Sequence, residues 1–307
     1  MALLGVEIGG TKLQVAAVSP AGAVHEARGA AVDPSAGAAA VLESLAGLLA
    51  DHAIQRHGPF EAVGVGFGGP VDRVAGTVAA CHQVAGWSGC PLGAWITGRT
   101  GLPAVIENDT NVAALAEAIR GAGRGHDSVV YSNAGSGVGG GWVRGSRVHH
   151  GRPPGEMELG HLRLSLDGPT VEEAVSGWSL DRQVAAAVGR HPDGILASMA
   201  SGATPSARLL GPAVAAGDPV AATILGQAAR AYALGLSHVV HLLNPDVIVL
   251  GGGVATIGEP WRTAVAAHLE GFVVPALRPA PPVRLAMLGD LVVPVGAALA
   301  AKGIASA

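Results

Sequence analysis

A chain of 307 residues, 49% of them apolar, can bury a large core and is long for one small domain, so two domains are expected. Nineteen Lys and Arg against 23 Asp and Glu leave a formal charge of -4, which gives no field for a polyanion and argues against a nucleic-acid partner. Two cysteines, Cys81 and Cys90, are too few for a disulfide framework and suit a reducing cytoplasm, where the absence of a leader-like pattern in residues 1–6 also places the protein. The uncharged residues 74–98 are interrupted by Gly, Pro, Ser, Thr, His and Gln and do not read as a membrane span.

Apolar runs flank Gly9-Gly10-Thr11, so this first glycine turn reads as a tight β-hairpin and not as a strand-to-helix junction. That excludes a P-loop, which needs a helix after its glycines and a Gly-Lys-Ser/Thr ending. The two glycines would let a phosphate approach the backbone amides, with a hydroxyl from Thr11 and a charge from Lys12. Read without context, a plain hairpin explains the turn equally well. Residues 36–50 then carry apolar groups at helical spacing.

The next apolar run ends at Ile106, and an Ala/Leu helical pattern follows Thr110, which puts Asp109 at a strand-to-helix junction. Asp109 or Thr110 can serve there simply as a helix cap. The break Gly121-Ala122-Gly123-Arg124-Gly125 follows that helix. A second strand–glycine turn–strand unit comes next, with Asn133 to Gly141 between apolar runs and a turn at Arg144-Gly145-Ser146. Five glycines in the seven residues 135–141 are conformationally expensive for a simple hairpin and favour close approach of a ligand to the backbone. Two such units suggest an internal duplication.

Residues 220–236 repeat the helical pattern. The wholly apolar run that begins after Asn244-Pro245-Asp246 ends in Gly251-Gly252-Gly253 and leads into a helix at about residues 259–269. It reads as a buried parallel strand whose C-terminal end is the usual place for a nucleotide in an open α/β sheet.

These motifs, in this order, resemble the ROK family, which contains bacterial sugar kinases and sugar-responsive repressors. The resemblance is carried over nearly the whole chain by Glu7-Ile8-Gly9-Gly10-Thr11-Lys12, Gly66-Phe67-Gly68-Gly69-Pro70-Val71-Asp72, Gly86-Trp87, Glu107-Asn108-Asp109, the turn from Gly135 to Gly141, Glu158-Leu159-Gly160-His161 and the turn from Leu250 to Gly253. It implies an α/β, two-domain actin-like ATPase (ribonuclease H-like) fold with sugar and nucleotide in the interdomain cleft. The expected small domain is 1–117 plus 294–307, closed by a C-terminal helix from about Pro294, and the large domain is 118–293.

By that resemblance the activity is transfer of the γ-phosphoryl group of ATP to a hexose, glucose first, or to an N-acetylhexosamine. Asp109 falls on the general base and Asn108 beside it on the sugar, with Gly69, Glu158, His161 and Glu172 as further sugar contacts. Taken singly, Glu158 and Glu172 read as surface acids and His161 as a structural histidine. The nucleotide set is Gly9, Gly10, Thr11, Lys12, Gly135, Ser136, Gly137, Gly251, Gly252 and Gly253. Mg2+ arrives with ATP, and Glu7 reaches it through water. A homodimer is expected by the same analogy. Phosphoryl transfer demands mostly positioning and charge neutralisation. Asp109, at a reference pKa of about 3.9 and next to a helix N-terminus, is expected to be held low and to act as a weak base late in the transfer.

Several residues depart from the family pattern. Glu7 stands where Asp is usual, Asn133 and Ser136 where Thr is usual, Gln83 where Asn often meets the sugar, and Met157 where Gly is usual. They bear on sugar identity and on the affinity for the phosphate donor more than on the reaction. No structural zinc is expected: His161 is in place, but residues 162–171 contain no cysteine, and Asp167-Gly168 reads as a tight turn closing a shortened loop. A repressor would need a DNA-binding unit ahead of the first hairpin. A catalytically weak or silent sugar-binding or regulatory protein is the alternative from another class. Polyphosphate as donor would call for a Lys/Arg-rich run that the chain lacks.

Overall fold

The structure is a computed structural model in which residues 1–81, 84–155, 157–202 and 204–305 are described. Gln83, one of the departures above, lies outside the described residues. Contacts divide the chain into two units, one of Met1–Asp127, Gly141–Met157 and Met287–Ala307, the other of Ser128–Gly140 and Glu158–Ala286.

In the first unit, strands β1 (Ala2–Ile8), β2 (Lys12–Val18) and β3 (Val24–Ala31) form an antiparallel meander. Strands β4 (Phe60–Phe67) and β7 (Ala104–Asn108) extend it in parallel, giving the order β3-β2-β1-β4-β7. A small hairpin, β5 (Val71–Asp72) and β6 (Thr77–Val78), stands apart. The helices are α1 (Gly37–Leu49), α2 (His52–Gln55), α3 (Leu92–Thr100), α4 (Asp109–Arg120) and, from the end of the chain, α11 (Val292–Ala305).

Alternation along β1 assigns the two faces of this sheet. Leu4, Val6 and Ile8 join a core that contains Leu45 of α1, Ile54 of α2 and Ile96 of α3. Leu3 points the other way, into a cluster with Ala298 and Ala301 of α11. On that second face α11 lies directly on the strands, and a Cβ at Gly5 or Gly64 would collide with the carbonyl of Pro294 or Ala297. Glycine there is a packing requirement, because the backbones meet with no side chain between them. The Gly86-Trp87 and Gly66-Phe67 motifs are packing devices too. Trp87 is fully buried and meets the Phe67 ring edge-on at 5.1 Å between centroids.

The second sheet has the order β10-β9-β8-β11-β12, formed by β8 (Ser128–Ala134), β9 (Val138–Arg144), β10 (Arg147–Val148), β11 (Val247–Gly251) and β12 (Val283–Leu285). β8 pairs in parallel with β11, and β11 with β12. Both sheets thus run third-second-first-fourth-fifth in their own chain order, the duplication expected from the two glycine hairpins. β9 carries the chain out of the second unit at Gly140 and into the first at Gly141.

The second unit holds α5 (Val171–Val175), α6 (Gly177–Arg190), α7 (Ile195–Ala200), α8 (Leu210–Ala215), α9 (Pro219–Leu243) and α10 (Glu259–Phe272). The longest, α9, is set by local signals: Asp218 accepts from the amides of Val220 and Ala221, Pro219 opens the first turn, and Asn244 closes it in the left-handed region at φ 42°. The shortened loop after His161 closes as expected, with Arg163 bridged to Thr170 and the Gly168 amide donating to Ser165 at 3.3 Å.

Candidate active site

The parallel register of the first sheet brings Ile8, Phe67 and Asn108 level, so that Gly9, Gly68 and Asp109 leave β1, β4 and β7 from one common edge. This is the C-terminal edge, where open α/β sheets bind ligands. The hairpin is closed by the Gly9 amide donating to Lys12 O at 2.9 Å, and the Gly68 amide donates to Ile8 O at 2.8 Å. A Cβ at Gly68 would lie 3.4 Å from both Asp109 Oδ2 and Gly9 Cα. The candidate base and the first glycine turn therefore stand on either side of Gly68. Thr11 is exposed at the turn's tip, beside Gly10.

Neither Asp109 nor Thr110 caps α4. The cap is Asn108, whose Oδ1 accepts from the amides of Thr110 at 2.9 Å and Asn111 at 3.1 Å. Its Nδ2 donates to Gly69 O at 3.3 Å, tying β7 to the loop after β4. Asp109 is the first helical residue, and its Oδ1 accepts from the Thr110 hydroxyl at 3.2 Å. The low pKa expected for Asp109 is corrected by the structure. Burial among protein atoms pushes the carboxyl up to about 6, outweighing the hydrogen bonds from Thr110 that favour its charged form.

Glu7 and Lys12 face each other across the same hairpin, Nζ 3.2 Å from Oε2. Lys12 also donates to the backbone carbonyl of Asp290 at 3.0 Å, and the Gln14 amide nitrogen, turned toward the same pair, reaches Glu7 Oε2 at 3.2 Å and Asp290 O at 3.0 Å. Desolvation raises Glu7 to about 7 despite Lys12, and the nearby charges of Asp109 and Asp290 push in the same direction. Gln14 and Asp290 went unnoticed in the sequence because one side chain alternates along an ordinary strand and the other lies 278 residues from Lys12. If a magnesium ion came in with nucleotide phosphates, Glu7 would be the hairpin carboxylate to meet it, since Mg2+ keeps most of its waters and takes one or two carboxylates beside the phosphates. Among the described residues no cluster of three or more His, Cys, Asp and Glu is placed to hold a metal by itself.

In the second unit the predicted residues gather around the backbone of Val138. The hairpin is closed by the Gly135 amide donating to Gly137 O at 2.8 Å, with Ser136 exposed at its tip. The Val138 amide donates to Glu172 Oε2 at 2.8 Å, and Gly160 lies so close that a Cβ there would strike the Val138 carbonyl. This fixes Glu158 and His161, on either side of Gly160, beside the turn; their side chains are exposed and 3.8 Å apart. Asn133 Oδ1 accepts from the Gly139 amide at 2.9 Å, so this departure braces the hairpin from within. Met157 immediately precedes Glu158. At the third turn, Gly251 and Gly252 answer to the fold. A Cβ on Gly251 would overlap the Tyr131 ring, and Gly252, at φ +79°, lies against the backbone of Ala134. Gly253 and Gly135 have open space around them.

The profile of the ROK family matches residues 3–304. The chain belongs to the ROK family. A glucokinase from Streptomyces coelicolor is 30% identical to this ROK protein over 310 residues, covering 96% of each chain. A kanosamine kinase from Amycolatopsis mediterranei is 30% identical over 305 residues, 94% of this chain and 92% of its own. The crystal structure of a ROK family glucokinase from Streptomyces griseus in complex with glucose and AMPPNP superposes with a TM-score of 0.87 at 30% identity, over 99% of this chain and 100% of that one. The fold of this ROK protein is the two-domain actin-like ATPase architecture, as the sequence motifs implied. Among the described residues no helix is long and apolar enough to cross a membrane.

Proposed function

We infer that this ROK protein is an ATP-dependent sugar kinase that transfers the γ-phosphoryl group to a hydroxyl of a hexose, glucose first. The observation that carries the reading is the placement of Asp109, relieved of the capping role by Asn108 and raised to about 6, beside the Gly9–Lys12 turn at the common edge of β1, β4 and β7. A carboxylate near 6 is ionised at neutral pH yet basic enough to accept a hydroxyl proton. The acceptor oxygen bonds to the γ-phosphorus, its proton passes to Asp109 Oδ, and the bond from that phosphorus to the β,γ-bridging oxygen breaks to release ADP.

Asn108 serves the sugar through its amide nitrogen, since its oxygen is engaged by α4. Gly69 is held next to it, and Glu158, His161 and the second oxygen of Glu172 supply further acceptors and donors for hydroxyls. Lys12, the amides of Gly9, Gly10 and Thr11, and the turns at Gly135-Ser136-Gly137 and Gly251-Gly252-Gly253 carry the nucleotide phosphates. Glu7 would hold, through water, the magnesium that comes with ATP, and that ion would neutralise phosphate charge. The enzyme works in the cytoplasm as a homodimer.

Glucose is favoured because relatives of similar identity are named glucokinases, whereas the kanosamine kinase keeps an amino sugar open. A coupled assay of ADP release over hexoses, amino sugars and N-acetylhexosamines tests the reading. Turnover with glucose that disappears in Asp109→Asn supports it. Sugar binding without ADP release from any acceptor would assign the chain a regulatory role instead.

A further inference from the structure

Directly before the Asn108-Asp109 junction lies Glu107, a carboxylate 6% exposed on the face of the sheet that packs against α4. One of its oxygens, Oε1, accepts twice, from the Asn108 amide at 2.9 Å and from Asn111 Nδ2 at 3.0 Å. The same atom thus holds the residue before Asp109 and the residue two after it, on opposite sides of the turn from β7 into α4. Asn111 is itself 2% exposed, so water does not replace its amide donor. The other oxygen, Oε2, faces His150 Nε2 at 3.3 Å. Burial holds His150 below its ordinary value, with Arg73 and His149 acting in the same direction and Glu107 against them. A cavity of about 690 Å3 opens on this pair, its walls including Arg73, Leu115, Arg147 and Leu299.

A buried carboxylate carries a large desolvation cost that an apolar side chain at the same strand position would avoid. What it provides in return is orientation. The neighbouring cap bonds of Asn108 set where α4 begins, whereas Glu107 ties the strand to the first turn of the helix across the reacting residue.

We propose that Glu107 is a positioning residue for phosphoryl transfer, whose carboxylate clamps the Asn108 amide and the Asn111 side chain and so fixes the direction from which Asp109 meets the acceptor hydroxyl. The proposal rests on the sugar-kinase reading above. Glu107→Leu removes the clamp, and Glu107→Gln keeps an acceptor oxygen of the same reach. A displaced general base loses rate steeply, so Glu107→Leu lowers kcat at least about 30-fold with the sugar KM within about threefold. Glu107→Gln stays within about fivefold of the native kcat, because the amide oxygen still takes both donors.

A double-mutant cycle separates positioning from simple loss of stability. If Glu107 acts through Asp109, adding Glu107→Leu to Asp109→Asn slows the reaction by no more than about threefold further. Effects that multiply, or a native kcat in Glu107→Leu, overturn the proposal. Should Glu107→Leu fail to fold, Asn111→Ala, which deletes one of the two donors, runs through the same cycle. It lowers kcat about tenfold alone and not further with Asp109→Asn, and any other pattern overturns the proposal. If Asp109→Asn alone keeps native turnover, the reading beneath falls and this inference with it; if Asp109→Asn is inactive and the cycle is additive, only this inference falls.

Discussion

Asn108 accepts the Thr110 amide hydrogen at 2.9 Å, and this bond relieves Asp109 of capping the helix it begins. The acid is left to do chemistry. Asp109→Asn accordingly keeps its sugar affinity within a few-fold, measured by calorimetry, and loses at least about 100-fold in turnover, the scale of a missing general base. Phosphorylation at near-native rate would remove Asp109 from the mechanism.

The pH dependence follows from the same residue. With the carboxyl pushed up to about 6, the rate falls as pH drops through about 6, and a pH–rate profile shows an acid limb there that Asp109→Asn lacks. The sign for stability is opposite to that of a salt-bridged acid. The folded state binds more protons than the unfolded state between the ordinary value of 3.8 and about 6, so stability falls as pH rises through this window, and the loss is complete above it. Asp109→Asn should therefore melt higher than the native protein at pH 8, and the difference should vanish near pH 3. An unchanged or lower melting temperature at pH 8 counts against a desolvated Asp109.

Lys12 is the cation that opposes the burial of Glu7. In Lys12→Met the Glu7 carboxyl rises above about 7, and the KM for ATP at pH 7 increases at least about tenfold through loss of a phosphate-binding charge. Raising the pH restores part of the affinity by ionising Glu7. The double variant Lys12→Met, Glu7→Gln loses that pH response, and a response that persists assigns it to another group.

Glu158 and His161 stand beside a loop closed by the Arg163 to Thr170 bridge, with no cysteine in it. Protein purified without a histidine tag should contain far less than one zinc per chain, and a zinc chelator in excess magnesium should leave activity unchanged. About one zinc per chain, with activity lost to the chelator, overturns the expectation.

The contact between Gly64 and the Ala297 carbonyl allows no intervening atom. Gly64→Ala must displace α11 from the sheet and destabilises by about 3 kcal/mol or more, at the upper end of overpacking effects. Chemical denaturation decides it, and a native midpoint would mean that the helix shifts freely.

What the sequence by itself determined was local in origin. Apolar runs gave β1 and β2, glycine chemistry gave the turns at Gly9-Gly10-Thr11 and Gly135-Ser136-Gly137, and helical spacing gave α1, α4 and α9, because these signals act within a few residues. The order of motifs was enough for the family and the fold. What only the tertiary structure decided depends on neighbours distant in the chain. Lys12 meets the carbonyl of Asp290 and Glu107 meets His150, and no periodicity records either pair. The pKa of Asp109 belongs to the same class. Its local setting, a helix N-terminus, argued for a low value, and the desolvation that raises it to about 6 exists only when the packed chain has removed the surrounding water.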